Sequence, residues 1–373
     1  IGGGGLGSRP YIIAGYVFKN IKRRTQILGL PTASFNGAAI LGPLVGGYLI
    51  DALSWRWVFY INIPIGVIAL LICLIFYKPV SPKTSPVFDL PGAGLLVSSL
   101  ILFLLGIQLL GITSNWIVAL LILISIAAAF AFFKREKRAQ NPIIPLTIFK
   151  KHDLNGDFML FAFTWGAYIA INTYLPMWAQ ALLGMSALAG GMTLIPNSIV
   201  EITASQTVAT IQEHVRTFTL VMIGIITMLI SSGGMFLATL QTTLWLLTVL
   251  AAFSGIGVGF IFVVLQVKVQ VDAGMKDMPT ATSTSYLIRI LAQTMMAAIY
   301  GVIMNLSLEH GIANHRDITM SMMNKLSDAT TAKTLPQHLL PEMRVIFHSG
   351  IKEIMLVSCI LLFIATALNF YYN

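Results

Sequence analysis

The sequence predicts an all-α fold, a polytopic bundle of membrane-spanning helices, from three observations: composition, the length of the apolar runs, and the position of the positive charge. Hydrophobic residues make up 57% of the 373 positions and charged residues 10%. Mean hydropathy is +0.84, far outside the range of soluble domains. Hydrocarbon offers backbone groups no hydrogen bonds, so a spanning chain must be helical or a closed barrel. Runs of about 20 apolar residues select helices, where a barrel would show alternating segments of about 10.

Read in order, the apolar runs place a partial span near 1–18, then ten complete spans near 30–50, 57–77, 91–111, 115–133, 157–179, 186–210, 217–238, 243–266, 282–306 and 352–372. The chain opens at Ile1 on a glycine-rich string with no charged leader, and reads as starting inside a helix. Lys19, Lys22, Arg23, Arg24, Lys78, Lys83, Lys134, Arg135, Lys137, Arg138, Lys150, Lys151, Arg216, Lys268 and Lys276 fall in alternate connections, while the short connections between them hold only Arg56. The basic connections are therefore expected on the cytoplasmic side. A long polar segment, about 307–351, falls on the other side and suits either a helical hairpin or a disordered loop.

Other classes are disfavoured. The net charge of +9 is spread over short connections and not gathered on a soluble face, which argues against nucleic-acid binding. Cys73 and Cys359 sit inside apolar runs with no metal-ligand spacing. All six histidines lie in loops or near span ends, and no HExxH or paired-carboxylate pattern occurs within a span, so no metal site and no catalytic set are expected.

Two strings carry most of the specific information. The run from Gly29 to Gly47 ends in Gly42-Pro43-Leu44-Val45-Gly46-Gly47. Ala38, Gly42 and Gly46 recur every four residues and predict a groove into which another helix presses its backbone. Pro43 cannot donate to the carbonyl four residues back, so a kink is expected there. Directly after it come Ser54-Trp55-Arg56-Trp57-Val58-Phe59-Tyr60-Ile61-Asn62-Ile63-Pro64, whose aromatics suit a membrane interface.

In this joint order the strings resemble the fifth span and the following junction of the fourteen-span drug:proton antiporters, a family of the major facilitator superfamily. Gly29, Gly42, Pro43, Gly46 and Gly47 match the antiporter motif, and Ala38 stands where the pattern has glycine. Phe88 to Gly92, Tyr174 to Gln180 with Ser186 to Gly191, and Arg289 extend the likeness along the chain. The resemblance implies three units: 1–77 as the remainder of an amino-terminal helical half, 78–153 as a central helix pair with its linker, and 154–373 as a carboxy-terminal six-helix half. It also implies efflux of amphipathic or cationic drugs by alternating access, driven by a proton gradient with no cofactor, in a multi-pass protein of the plasma membrane. The partners it implies are a small-molecule substrate and the bilayer, with no nucleic acid and no fixed oligomeric state. A carrier of another solute, a membrane binding protein and an inactive fragment are the alternatives.

Three charges fall well inside the expected spans: Arg9, Glu201 and Arg289. Each would cost about 2.5–3.5 kcal/mol facing lipid, so each is expected to face a cavity or a partner. Asn197, Glu201 and Ser205 form a four-residue stripe on one helix face. A buried carboxyl there suits proton carriage, and an ion pair with Arg289 is the structural alternative. Gln293 belongs to the stripe of Arg289. Trp165, Tyr168 and Asn172 offer an aromatic face for a cation, or ordinary helix packing.

Overall fold

The computed structural model describes residues 2–54, 56–76, 89–110, 113–139, 142–144, 146–313, 315, 317–326 and 329–372. The side chains of 2–6, 21, 32–33, 35–36, 39–40, 43–44, 46–48, 50–52 and 329–330 fall outside that description. Lys78, Lys83, Trp55, Phe88, the side chains of Pro43, Gly46 and Gly47, and the expected boundary between 77 and 78 therefore lie outside the described residues.

Among the described residues the regular structure is entirely helical. In order the elements are α1 (Gly2–Val17), α2 (Ile21–Ala52), α3 (Trp57–Tyr60), α4 (Asn62–Phe76), α5 (Leu90–Gln108), α6 (Asn115–Glu136), α7 (His152–Ala181) and α8 (Ala187–Met192). They continue with α9 (Ile195–Ile211), α10 (Thr217–Leu237), α11 (Leu244–Ala313), α12 (Met320–Leu326), α13 (Ala329–Ala332) and α14 (Leu340–Tyr372). Seven helices among the described residues are long and apolar enough to cross a membrane: the continuous stretch Trp57–Phe76, α5, α6, α7, α10, α11 and α14. The polytopic all-α reading holds.

Several boundaries differ from the expectation. The basic connection before the second span is helix: Asn20 caps α2 by accepting from the Arg23 amide, so Lys22, Arg23 and Arg24 ride on its first turns. Arg24 turns back to donate to the carbonyls of Phe18 (2.9 Å) and Gly15 (3.1 Å), at the end of α1. These are carbonyls that a helix end leaves without partners. The span near 186–210 is divided at Thr193 and Leu194, ahead of Pro196 in the first turn of α9.

The spans near 243–266 and 282–306 are longer than expected, and no loop separates them. They are two arms of α11 that meet at Gly274, where φ is +72°, a backbone conformation that glycine reaches without steric cost. Arg289 on the second arm bonds Gln266 on the first, so the arms fold back on one another. The segment 307–351 is largely ordered helix: the second arm continues to Ala313, α12 and α13 follow, and α14 begins at Leu340. Ile318, Met323, Leu326, Leu335 and Leu339 pack there with Trp178 and Phe347, which is the helical alternative of the two.

The core lies among α7, α9, α10, α11 and α14. Helices α1 and α2 join it through α11 and α9, and no side chain of α3 or α4 is buried. Helices α5 and α6 form a separate hairpin against α11. Their contact is polar as well as apolar: Ser99 Oγ donates to the Ser125 carbonyl (3.1 Å), and Ser125 Oγ returns a bond to the Ser99 carbonyl (2.8 Å). Asp89 caps α5 at the Gly92 amide and pairs with Arg135 of α6, whose hydrogen bonds hold the Asp89 carboxyl below the ordinary carboxylate range.

The serine pair supplies the first prediction. Ser99→Ala or Ser125→Ala should each lower stability by about 0.6 kcal/mol, the mean for interhelical bonds in membrane proteins. A double-mutant cycle of unfolding in bicelles measures it, and perfect additivity would show that the two bonds do not cooperate. Because the folded carboxyl of Asp89 titrates below its unfolded value, its contribution is present above the unfolded pKa and disappears as pH falls through the folded one.

Candidate functional site

The groups that the sequence singled out come together where α7, α9 and α11 meet. Helix α9 approaches α11 closely because α11 carries the string Ser254-Gly255-Ile256-Gly257-Val258-Gly259. A Cβ at Gly255 would strike the Asn197 carbonyl, and one at Gly259 would lie 2.7 Å from the Glu201 carbonyl. Gly257 turns to the other side, where the backbone of Gly224 and the side chain of Met228 on α10 fill the space. One short glycine string therefore seats two neighbouring helices, and the sequence reading did not single it out. Its signal was glycine at every second position, which serves two opposite helix faces.

This seating buries the polar stripe. Asn197 is 1% exposed, Glu201 7% and Ser205 0%. The Tyr168 hydroxyl of α7 donates to Glu201 Oε2 at 3.0 Å and lies 3.1 Å from Asn197 Oδ1. The Asn197 amide in turn donates to the Ala251 carbonyl at 2.9 Å, which fixes its orientation. Ser205 Oγ turns back to the Ile202 carbonyl.

Arg289 does not pair with Glu201. Its guanidinium donates to Gln266 Oε1 (3.3 Å) and sits among the rings of Phe262 (4.6 Å), Phe161 (4.9 Å), Trp165 (5.3 Å), Tyr286 (5.6 Å) and Tyr11 (5.9 Å). A guanidinium is weakly hydrated and stacks well, so an aromatic cage tolerates it where lipid would not. The ion pair weighed as the structural alternative for Glu201 is thus not made by Arg289, which takes cation–π contacts instead. Trp165, for which a cation-binding face and ordinary helix packing were the alternatives, faces the protein's own cation. Tyr168 joins Glu201 instead, and Asn172 and Gln293 are half-buried.

The remaining expectations sort differently. Arg9 is exposed on α1, beside Pro10. Pro10 edges a cleft of about 620 Å³ shared with Ile27, Leu30, Pro31, Ser34 and Ala38 of α2. Within the run from Gly29 to Gly47, Gly29 makes the close approach, since a Cβ there would collide with the Gln206 side-chain amide of α9. Ala38 is exposed, and among the described residues nothing lies within 4 Å of a Cβ at Gly42.

Helices α1 and α2 meet the rest of the molecule at the basic end. Lys22 pairs with Glu213 (2.9 Å), Gln212 donates to Thr25 (2.7 Å), and Gln270 donates to the Tyr11 carbonyl (2.9 Å). Gly7 and Gly15 press against Tyr286 and Met278. Among the described residues no cluster of three or more His, Cys, Asp or Glu could hold a metal ion.

With this geometry in view, comparison with known proteins is informative. Residues 1–297 match the Major Facilitator Superfamily. The chain is 32% identical over 312 residues to Multidrug resistance protein 3 of Bacillus subtilis (strain 168), a match covering 81% of this chain and 60% of that protein. It is 28% identical over 317 residues to Multidrug transporter protein MdtP of the same organism, covering 82% of this chain and 57% of the relative. With Efflux pump dotC of Dothistroma septosporum (strain NZE10 / CBS 128990) it shares 27% identity over 312 residues, covering 81% of this chain and 53% of the relative. The chain thus spans somewhat over half the length of the curated relatives it matches.

The glycine string yields the second prediction. Gly255→Ala and Gly259→Ala should each destabilise the protein by about 1–3 kcal/mol, since the added methyl meets backbone that cannot yield. Gly301→Ala, where a Cβ has nothing within 4 Å, should change stability little. Thermal unfolding in detergent compares the three, and equal midpoints would remove the glycine string from its seating role.

Proposed function

The chain belongs to the major facilitator superfamily, and from that membership we propose that it works as a proton-coupled exporter of amphipathic or cationic compounds. It is an integral, multi-pass membrane protein and not an enzyme. In this reading its helices follow the fourteen-span plan, with residues 1–77 in one half, 78–153 as the inserted central pair and 154–373 as the second half. Substrate would bind near the bilayer midplane between rocking halves, as in secondary transporters generally. The plasma membrane is the matching location.

One observation carries the proposal: Glu201, an acidic side chain midway along α9, is buried and accepts a hydrogen bond from the Tyr168 hydroxyl. A buried carboxylate that accepts from a phenol can take up a proton, lose its charge and release its partner, which is the cycle an antiporter needs. Drug efflux as the outcome draws on the relatives, whose names record multidrug resistance, multidrug transport and an efflux pump. The contacts of Lys22, Thr25, Gly15 and Tyr11 at the basic end support a conformation closed on that side, and they would separate in each cycle.

Glu201→Gln should lower dye efflux from cells by about tenfold or more, as expected when a proton-exchanging group is blocked, while membrane abundance stays unchanged. Tyr168→Phe should give a smaller loss. A protonophore should abolish efflux by the unaltered protein. Undiminished efflux in Glu201→Gln would sink the role given to Glu201, and insensitivity to the protonophore would sink proton coupling itself.

A further inference from the structure

Asp157 is a buried acid with no place in the cycle described above. It lies on the second turn of α7 and is 0% exposed. Its Oδ1 accepts from Lys268 of α11 at 2.9 Å, and the same ammonium reaches Asp272 Oδ2 at 3.1 Å. Oδ2 of Asp157 is buried and has no hydrogen-bond partner among the described residues. One ammonium therefore serves two carboxylates, and the triad carries a net charge of −1 where a side-chain oxygen is unsatisfied. An ionised oxygen left in such surroundings is costly.

We propose that Asp157, Lys268 and Asp272 form a second proton-binding site, in which Oδ2 of Asp157 takes the proton. The carboxylate becomes a neutral carboxylic acid by forming one O–H bond, the proton coming from water at the basic end. Lys268 then keeps Asp272, four residues further along its own helix, as its counter-ion. A metal cation is disfavoured by the geometry, because Lys268 already occupies the position between the two carboxylates.

The surrounding charges do not compensate the triad. On α7, Asp153 precedes Asp157 by one turn and adds charge of the same sign, while His152 lies 3.6 Å from Asp153. The ammonium of Lys151 is committed to the Ala273 carbonyl (2.7 Å) and Asp277 (3.2 Å) of α11. From α14, Tyr372 covers Gly156 and lies tilted against the His152 ring, 4.6 Å between centroids. None of these places a cation at Oδ2.

Position gives the site a consequence. The Asp157–Lys268 pair ties α7 to the first arm of α11 just before the bend at Gly274. The same bend carries Gln270, which holds the Tyr11 carbonyl of α1, and Met278, which lies against Gly15. Protonating Asp157 loosens α7 from the bend that contacts α1. This coupling rests on the antiport reading, whereas proton binding itself does not.

Difference infrared spectroscopy of the purified protein between about pH 5 and about pH 9 tests binding directly, since only carboxyl groups give the protonated C=O band in this range. The expected result is a titrating band that disappears in Asp157→Asn and persists in Glu201→Gln. In Asp272→Asn, Lys268 serves Asp157 alone and favours its ionised form, so the midpoint should move down by about one pH unit. A band unchanged in Asp157→Asn, or a midpoint unmoved in Asp272→Asn, overturns the proposal. Undiminished efflux in Glu201→Gln would instead count against the antiport reading and leave the infrared result standing.

Discussion

Backbone contact between α9 and α11 is the constraint on which the rest of the site depends. Where Gly255 and Gly259 meet the carbonyls of Asn197 and Glu201, two helices approach to a distance that any side chain would prevent. In lipid such approach is a main source of helix association, because apolar side chains gain little by leaving one hydrocarbon environment for another. The contact also orients α9. With its backbone held against α11 at residues 197 and 201, the polar stripe is directed inward toward Tyr168 and away from lipid.

Once the stripe is inside, its chemistry is set by what surrounds each charge. Glu201 and Arg289 are both buried in the same helix assembly, yet they are satisfied differently: a phenol for the acid, five rings and one glutamine amide for the base. The guanidinium stays charged among the rings, because it is only weakly hydrated. The Asp157 triad follows a related principle at the basic end, where a shortage of cations and not an absence of them leaves one oxygen unsatisfied.

Much of this was legible in order along the chain. Apolar runs placed α1, α2, α5, α6, α7, α10, both arms of α11 and α14, because lipid imposes run length directly on sequence. Four-residue spacing put Asn197, Glu201 and Ser205 on one face, and that face is the buried one. Helix ends were less legible: Asn20 and the basic residues after it extend α2 beyond its apolar part, and Gly274 replaces an expected loop by a single residue. Hydropathy measures what lipid covers, and helices continue past that limit.

The sequence by itself determined that the chain is a helical membrane bundle and that Glu201 and Arg289 must be sheltered, since both follow from the cost of exposing polar groups to hydrocarbon. Only the tertiary structure decided their partners. Nothing in local spacing says that Trp165 attends Arg289, that Tyr168 holds Glu201, that Gly29 and not Gly42 makes the close approach, or that Asp157 shares Lys268 with Asp272. Those pairings join residues far apart in the chain, and their geometry is set by how the helices rotate and cross when they pack.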